Sequence, residues 1–424
     1  MPVYWMACRI KIGTGMSESK LTSVTAPEIH RGVTFGFFAE NGYYGSRKAR
    51  LEVDRMAELG VTWVCVVTTV WQETFASTVQ FRHFKRTPGD HELIGIIDYI
   101  HEKGMKVQLR PMLQGLDGSF RFNISFPWED EIFLGKKLDY WTRWFDSMVE
   151  RTLHYASIAE LSGCEAFGFD SELDGTTGQD VHWKRVIAAA RSVYSGHLTT
   201  GHTLWIDMLQ ELKERPGHWF RDLDSLGASF YPPLAGDNGK LIGSRGENLY
   251  LKTKATNRIV RPEAPTPGCA PDSVEMKEWL DGPRRYFAEI AQQLGKPFYL
   301  AECGCRSTST ALACGGSVAD SAGRYNGEAQ AYFLDSILHS FWDEPWFMGI
   351  YWWKWDEHLE RPHYATDPRG DQGLSVWNKP AAKVMKKWFT RPERRGIELP
   401  GERDGSYQPR SEPSHGGLPL PVAG

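Results

Sequence analysis

The chain has 424 residues, of which 41% are hydrophobic, 13% aromatic and 24% charged. That is too apolar and too aromatic for a disordered chain, and it is long enough to bury one large core. The 49 Lys and Arg against 53 Asp and Glu leave a net charge of -4, which argues against a nucleic-acid partner, because domains that bind a phosphate backbone usually run strongly basic.

The opening segment, MPVYWMACRIKIGTGMSESK, has no sustained apolar stretch of the kind that a secretory leader carries. No window approaches the roughly 18 apolar residues of a membrane span. Seven Cys, an odd number without a CxxC pair, do not suggest a disulfide framework in a chain that can build its own core. A reducing, cytoplasmic setting is therefore the default expectation, unless a leader precedes this chain. Residues 1–30 read as an N-terminal arm.

Short apolar runs that suit buried strands then follow at Val33–Phe38, Val61–Thr68, Lys106–Arg110, Ala166–Phe169, Leu198–Gly201, Ser225–Tyr231, Pro297–Ala301 and Phe347–Trp353. A helix-forming stretch follows each. The clearest carries Leu138, Trp141, Phe145, Met148, Thr152 and Tyr155 at helical spacing. Gly60, Gly104, Gly163 and Gly295 stand between a helix and the next strand, where a left-handed residue ends the helix. Eight such pairs predict an α/β protein, a single-domain (β/α)8 TIM barrel over residues 31–392. The turn-rich stretch 232–271 reads as a long loop insertion after strand 6. Residues 393–424, rich in Pro, Gly and charge, read as a flexible tail. A doubly wound open sheet is the competing fold, but no glycine-rich phosphate loop follows any strand.

Active sites of such barrels lie at the C-terminal ends of the strands. Two strand ends carry a carboxylate directly after an apolar run: Glu172 in GFDSELDG and Glu302 in FYLAECG. Either alone reads equally well as a strand-end carboxylate facing water. Together, on strands 4 and 7, they face each other across the mouth. Opposed carboxylates are what glycosidic cleavage needs, one protonated to help the leaving oxygen and one ionised to attack or to activate water. The last strand, GIYWWKWD, has more indole than a core strand requires. One or two of Trp352, Trp353 and Trp355 are expected to reach the cleft and stack on sugar rings, and the others to pack under the helices.

Further substrate-binding candidates end other strands. Arg110 ends the third, where a salt bridge inside the barrel is the competing reading. Tyr231 ends the sixth, ahead of a Pro pair that holds it at the rim. His202 ends the fifth, where an ordinary structural histidine is the stronger reading. Trp71 follows the second. No HExxH metal motif and no GxSxG nucleophile elbow occurs. The CGC at Cys303 and Cys305 has no further ligand at zinc spacing, and no metal or organic cofactor is expected.

Taken in order, RGVTFGFF, LGVTWVCVVTTVWQ, TPGDHELIGIIDYIHEKGMKVQLRPML, FGFDSELDGT, LDSLGASFYPPL, KPFYLAECGCRS and GIYWWKWD resemble clan A glycoside hydrolases, most specifically glycoside hydrolase family 113, whose described members are β-1,4-mannanases. The resemblance spans roughly residues 32 to 389. It implies a (β/α)8 barrel that retains anomeric configuration, with Glu172 at the place of the acid/base and Glu302 at that of the nucleophile. Ser171 stands where many clan A relatives have an Asn that holds the sugar 2-hydroxyl. The implied substrate is a β-linked oligo- or polysaccharide. A barrel of other β-glycan specificity and a non-catalytic carbohydrate-binding barrel are the alternatives.

Overall fold

The computed structural model describes residues 24–126, 132–133, 136–137, 139–203, 208–232, 234, 269–314, 324–357 and 371–392. The tail expected over 393–424, the first 23 residues of the arm expected over 1–30 and nearly all of the insertion expected over 232–271 lie outside the described residues.

Eight parallel strands close a barrel: β1 (His30–Phe35), β2 (Trp63–Gln72), β3 (Lys106–Gly115), β4 (Ala166–Ser171), β5 (His197–His202), β6 (Leu226–Ser229), β7 (Phe298–Cys303) and β8 (Phe347–Trp355), with β8 pairing back to β1. Around it lie α1 (Arg47–Glu58), α2 (Asp90–Glu102), α3 (Tyr140–Leu161), α4 (Asp180–Val193), α5 (Met208–Glu214), α6 (Val274–Leu294), α7 (Gly327–Phe341) and α8 (Pro380–Phe389). The fold is the expected single-domain (β/α)8 barrel. Gly60, Gly104, Gly163 and Gly295 all adopt positive φ, between 68° and 80°, as helix-ending residues should. No helix among the described residues is long and apolar enough to cross a membrane.

Alternation along each strand makes two cores. Cys65, Val67, Met112, Ala166, Tyr299, Ala301 and Tyr351 fill the inside of the barrel. Val64, Val66, Leu109, Phe167, Phe169, Leu300 and Ile350 pack outward under the helices. Helix starts follow ordinary capping chemistry: Ser46 accepts from the Ala49 N–H ahead of α1, and Asp139 from Thr142 ahead of α3. Trp144, Phe145, Met148, Thr152 and Tyr155 form the buried stripe of α3.

The first strand differs from expectation. It runs over His30–Phe35 rather than Val33–Phe38, because Gly36 takes φ +90 and turns the chain. Any Cβ at Gly36 would collide with the Tyr44 hydroxyl, which donates to the Val67 carbonyl at 2.5 Å. Phe37 and Phe38 are thereby lifted off the strand and onto the rim of the barrel.

Candidate active site

Strict alternation along β7 would turn Glu302 outward, alongside Phe298 and Leu300. An extra residue in β7 prevents this. Leu300 pairs with Ile350 and Cys303 with Trp352, three steps on β7 against two on β8. Against β6, Leu300 pairs with Ala228 and Glu302 with Ser229. Ala301 therefore faces the inside of the barrel, Cys303 returns to the outer core, and Glu302 is freed to turn to the mouth. Strand β4 has the same irregularity, with Gly168 opposite Thr199 and Ser171 opposite Gly201. Phe169 then packs outward in the outer core, its ring edge-on to Trp183. Asp170 meets Arg151 of α3 at 2.9 Å, and Ser171 faces inward, its hydroxyl 3.4 Å from that of Ser229. Such bulges re-aim side chains beside functional sites.

Glu172 follows directly, in the left-handed region at φ 59, with its N–H donating to the Gly201 carbonyl at 2.9 Å. A non-glycine residue held there costs on the order of 1–3 kcal/mol, which the surrounding packing must offset.

The two carboxylates are held differently. The Tyr231 hydroxyl donates to Glu302 Oε2 at 2.9 Å. The Arg110 guanidinium, fully buried inside the barrel, lies 3.8 Å from Oε1 and donates to the Ala301 carbonyl at 3.3 Å. Gly168 keeps this interior open, since a Cβ there would lie 2.6 Å from Gln108 Nε2 and 3.3 Å from the Arg110 side chain. Among the described residues, Oε1 of Glu302 has no hydrogen-bond partner. Glu172 sits 3.0 Å from Arg121 Nη2, yet burial first, and the charge of Glu302 second, raise its pKa to about 8. Arg121 opposes both effects without overcoming them. At neutral pH Glu172 thus holds a proton.

Glu172, Glu302, Arg110, Ser171 and Tyr231 are brought together at the mouth. Trp353 lies on the inner face of β8, its ring edge-on to Phe37 at 4.9 Å. Trp71 lies at the far end of β2, half-buried, with the Arg86 guanidinium 5.1 Å from its ring. Three candidates go elsewhere. Trp352 donates its indole N–H to the Leu374 carbonyl at 2.8 Å, and Trp355 donates to Glu52 of α1 at 2.8 Å. Both belong to the outer core because alternation sends them there. His202 also points outward, packed against Trp219 and Phe220 with its Nδ1 3.8 Å from Asp174, as a structural histidine would.

Arg121 escaped the sequence reading. It opens a short 3-10 turn in the loop after β3, is almost fully buried, and donates through Nε to the Ser171 carbonyl at 2.7 Å. No strand end or periodic pattern marks it. If Glu172 serves as a proton donor, kcat/KM should fall as pH rises through about 8. Arg121→Ala removes a cation that favours the ionised form, so the alkaline limb should move to higher pH while the rate drops. A pH–rate profile whose alkaline limb stays at the same pH in this variant counts against the coupling.

The model of Glycoside Hydrolase Family 113 matches residues 33–379. Among solved structures, a GH113 β-1,4-mannanase aligns with a TM-score of 0.67 at 25% identity, over 86% of this chain and 100% of its own. The GH113 β-mannanase of Alicyclobacillus acidocaldarius in complex with ManMIm aligns with a TM-score of 0.66 at 24% identity, over 88% of this chain and 99% of its own. No curated protein matches the chain.

Proposed function

Because the chain belongs to glycoside hydrolase family 113, we propose that it cleaves β-1,4-linked mannan or manno-oligosaccharides with retention, using Glu302 as nucleophile and Glu172 as acid/base. The carrying observation is the asymmetry of the pair. Glu172 is driven to keep its proton by burial and by the nearby charge of Glu302, while Glu302 is held by a tyrosine and faced by a buried arginine. Carboxyl groups in unlike surroundings divide acid from nucleophile.

In the first step, Oε1 of Glu302 attacks the anomeric carbon as the protonated Glu172 gives its proton to the departing oxygen. A covalent glycosyl–enzyme forms and the aglycone leaves. In the second, the now ionised Glu172 takes a proton from water, water attacks the anomeric carbon, and Glu302 is released. Tyr231 keeps Oε2 occupied, which directs attack through Oε1. Ser171, turned inward beside Glu172, is suited to a sugar hydroxyl, and Trp353 to an apolar sugar face.

The similarity to a GH113 β-1,4-mannanase supports the choice of sugar. The test is a panel of β-mannan, glucomannan, xylan and β-glucan, with the anomer of the first product followed by proton NMR. Mannan-containing substrates releasing β-configured reducing ends are expected. An initial α-product overturns the double displacement, and turnover confined to xylan or β-glucan overturns the sugar assignment.

A further inference from the structure

Two phenylalanines on the rim are conspicuously exposed, Phe38 at 62% and Phe120 at 45%. Isolated exposed apolar residues are common, but these two are neither isolated nor loosely held. Phe38 follows the turn at Gly36. The Phe37 ring lies 4.6 Å from it on one side and the Lys354 ammonium 4.9 Å from its ring centre on another. Phe120 is backed by the Arg121 guanidinium at 5.2 Å and by the Phe122 ring at 5.8 Å. Arg121 also lies 6.0 Å from the Phe37 ring. A continuous chain of ring and cation contacts thus runs from Phe38 through Phe37 and Arg121 to Phe120, and the same Arg121 ends on Glu172.

We infer that Phe38 and Phe120 form a stacking platform for neutral sugar beyond the unit cleaved, so that a substrate longer than a single ring is bound more productively than one ring alone. This rests on the hydrolytic reading above and deepens it. Three features carry it. Each ring is held by a neighbouring ring and a cation while remaining exposed to solvent, which lowers the entropy lost when a ligand stacks there. Sugar rings present apolar C–H faces, and an amphipathic ligand of that kind suits an aromatic surface beside polar groups. The neighbouring cations are also already occupied: Arg121 pairs with Glu172, and Lys354 with Glu357 at 2.6 Å. Among the described residues, the platform therefore offers no spare positive charge to a uronate or phosphate, and favours an uncharged glycan.

The test compares Phe38→Ala and Phe120→Ala with the unmodified protein on mannotetraose and on an aryl β-mannoside carrying one sugar ring. At least one variant should lose about tenfold in kcat/KM on the tetraose, the scale of one apolar contact, while the single-ring substrate changes by less than about twofold. Phe→Tyr at the same position, which keeps the ring, should restore the tetraose value. Affinity of mannotetraose for the Glu302→Ala protein, measured by calorimetry, should fall in parallel when Phe38→Ala or Phe120→Ala is added. Equal loss on both substrates, or no loss on the tetraose in either variant, overturns the platform. If the panel favours another β-glycan, the same ratio is read with that oligomer. Failure of the sugar assignment is thereby separated from failure of the platform.

Discussion

Glu302→Ala should reduce hydrolysis of manno-oligosaccharides by roughly 10⁴- to 10⁶-fold, the scale seen when a nucleophile acting as part of a unit is removed. The geometry explains why nothing nearby would substitute. Tyr231 would lose the oxygen to which it donates, and Arg110, fully buried, would face an empty site. Leaving a buried cation without its counter-charge is destabilising, so the Ala variant should also melt at lower temperature. Glu302→Gln separates the two effects. It keeps the volume and an acceptor for Tyr231, and should be equally inactive while losing less stability. In the Glu302→Ala protein, added formate or azide, small enough to occupy the vacated space, should return turnover of an aryl glycoside with inversion. Turnover of Glu302→Gln within tenfold of the unmodified protein would remove the nucleophile assignment.

The second large effect concerns Glu172 and depends on the leaving group. Glu172→Ala should slow cleavage of unactivated oligosaccharides by about 10²- to 10⁴-fold, the usual worth of a positioned proton donor. A dinitrophenyl glycoside, whose leaving group needs little protonation, should lose far less in its first step. The glycosyl–enzyme should then accumulate, because no base remains to activate water, and azide should relieve the block as a β-glycosyl azide. The same substitution removes the alkaline limb near pH 8 that the buried, protonated Glu172 is expected to impose. Equal loss on activated and unactivated substrates would count against the acid role.

Much of this architecture was legible before any coordinates. The strand runs and the glycines at 60, 104, 163 and 295 mark the alternation of the barrel, because burial on both faces demands apolar strands and helix ends demand left-handed residues. The carboxylates stand where apolar runs stop, and position alone singles them out. Orientation was harder. Among the strand-8 indoles, only Trp353 joins the inner face, and His202 ends its strand facing the helices. Side-chain facing depends on the phase of the pleat, which one inserted residue reverses.

By itself, then, the order of apolar runs, turns and glycines determined an eightfold alternation and put acidic groups at the ends of its fourth and seventh strands, since local patterning follows from burial and backbone preference alone. Only the closed structure decided that Glu172 and Glu302 lie near enough for the charge of one to raise the pKa of the other. Their strands bulge against neighbouring strands brought in from elsewhere in the chain, and Arg121 arrives on a loop whose residues obey no period. Those are consequences of register between distant segments, and register is a property of the assembled sheet.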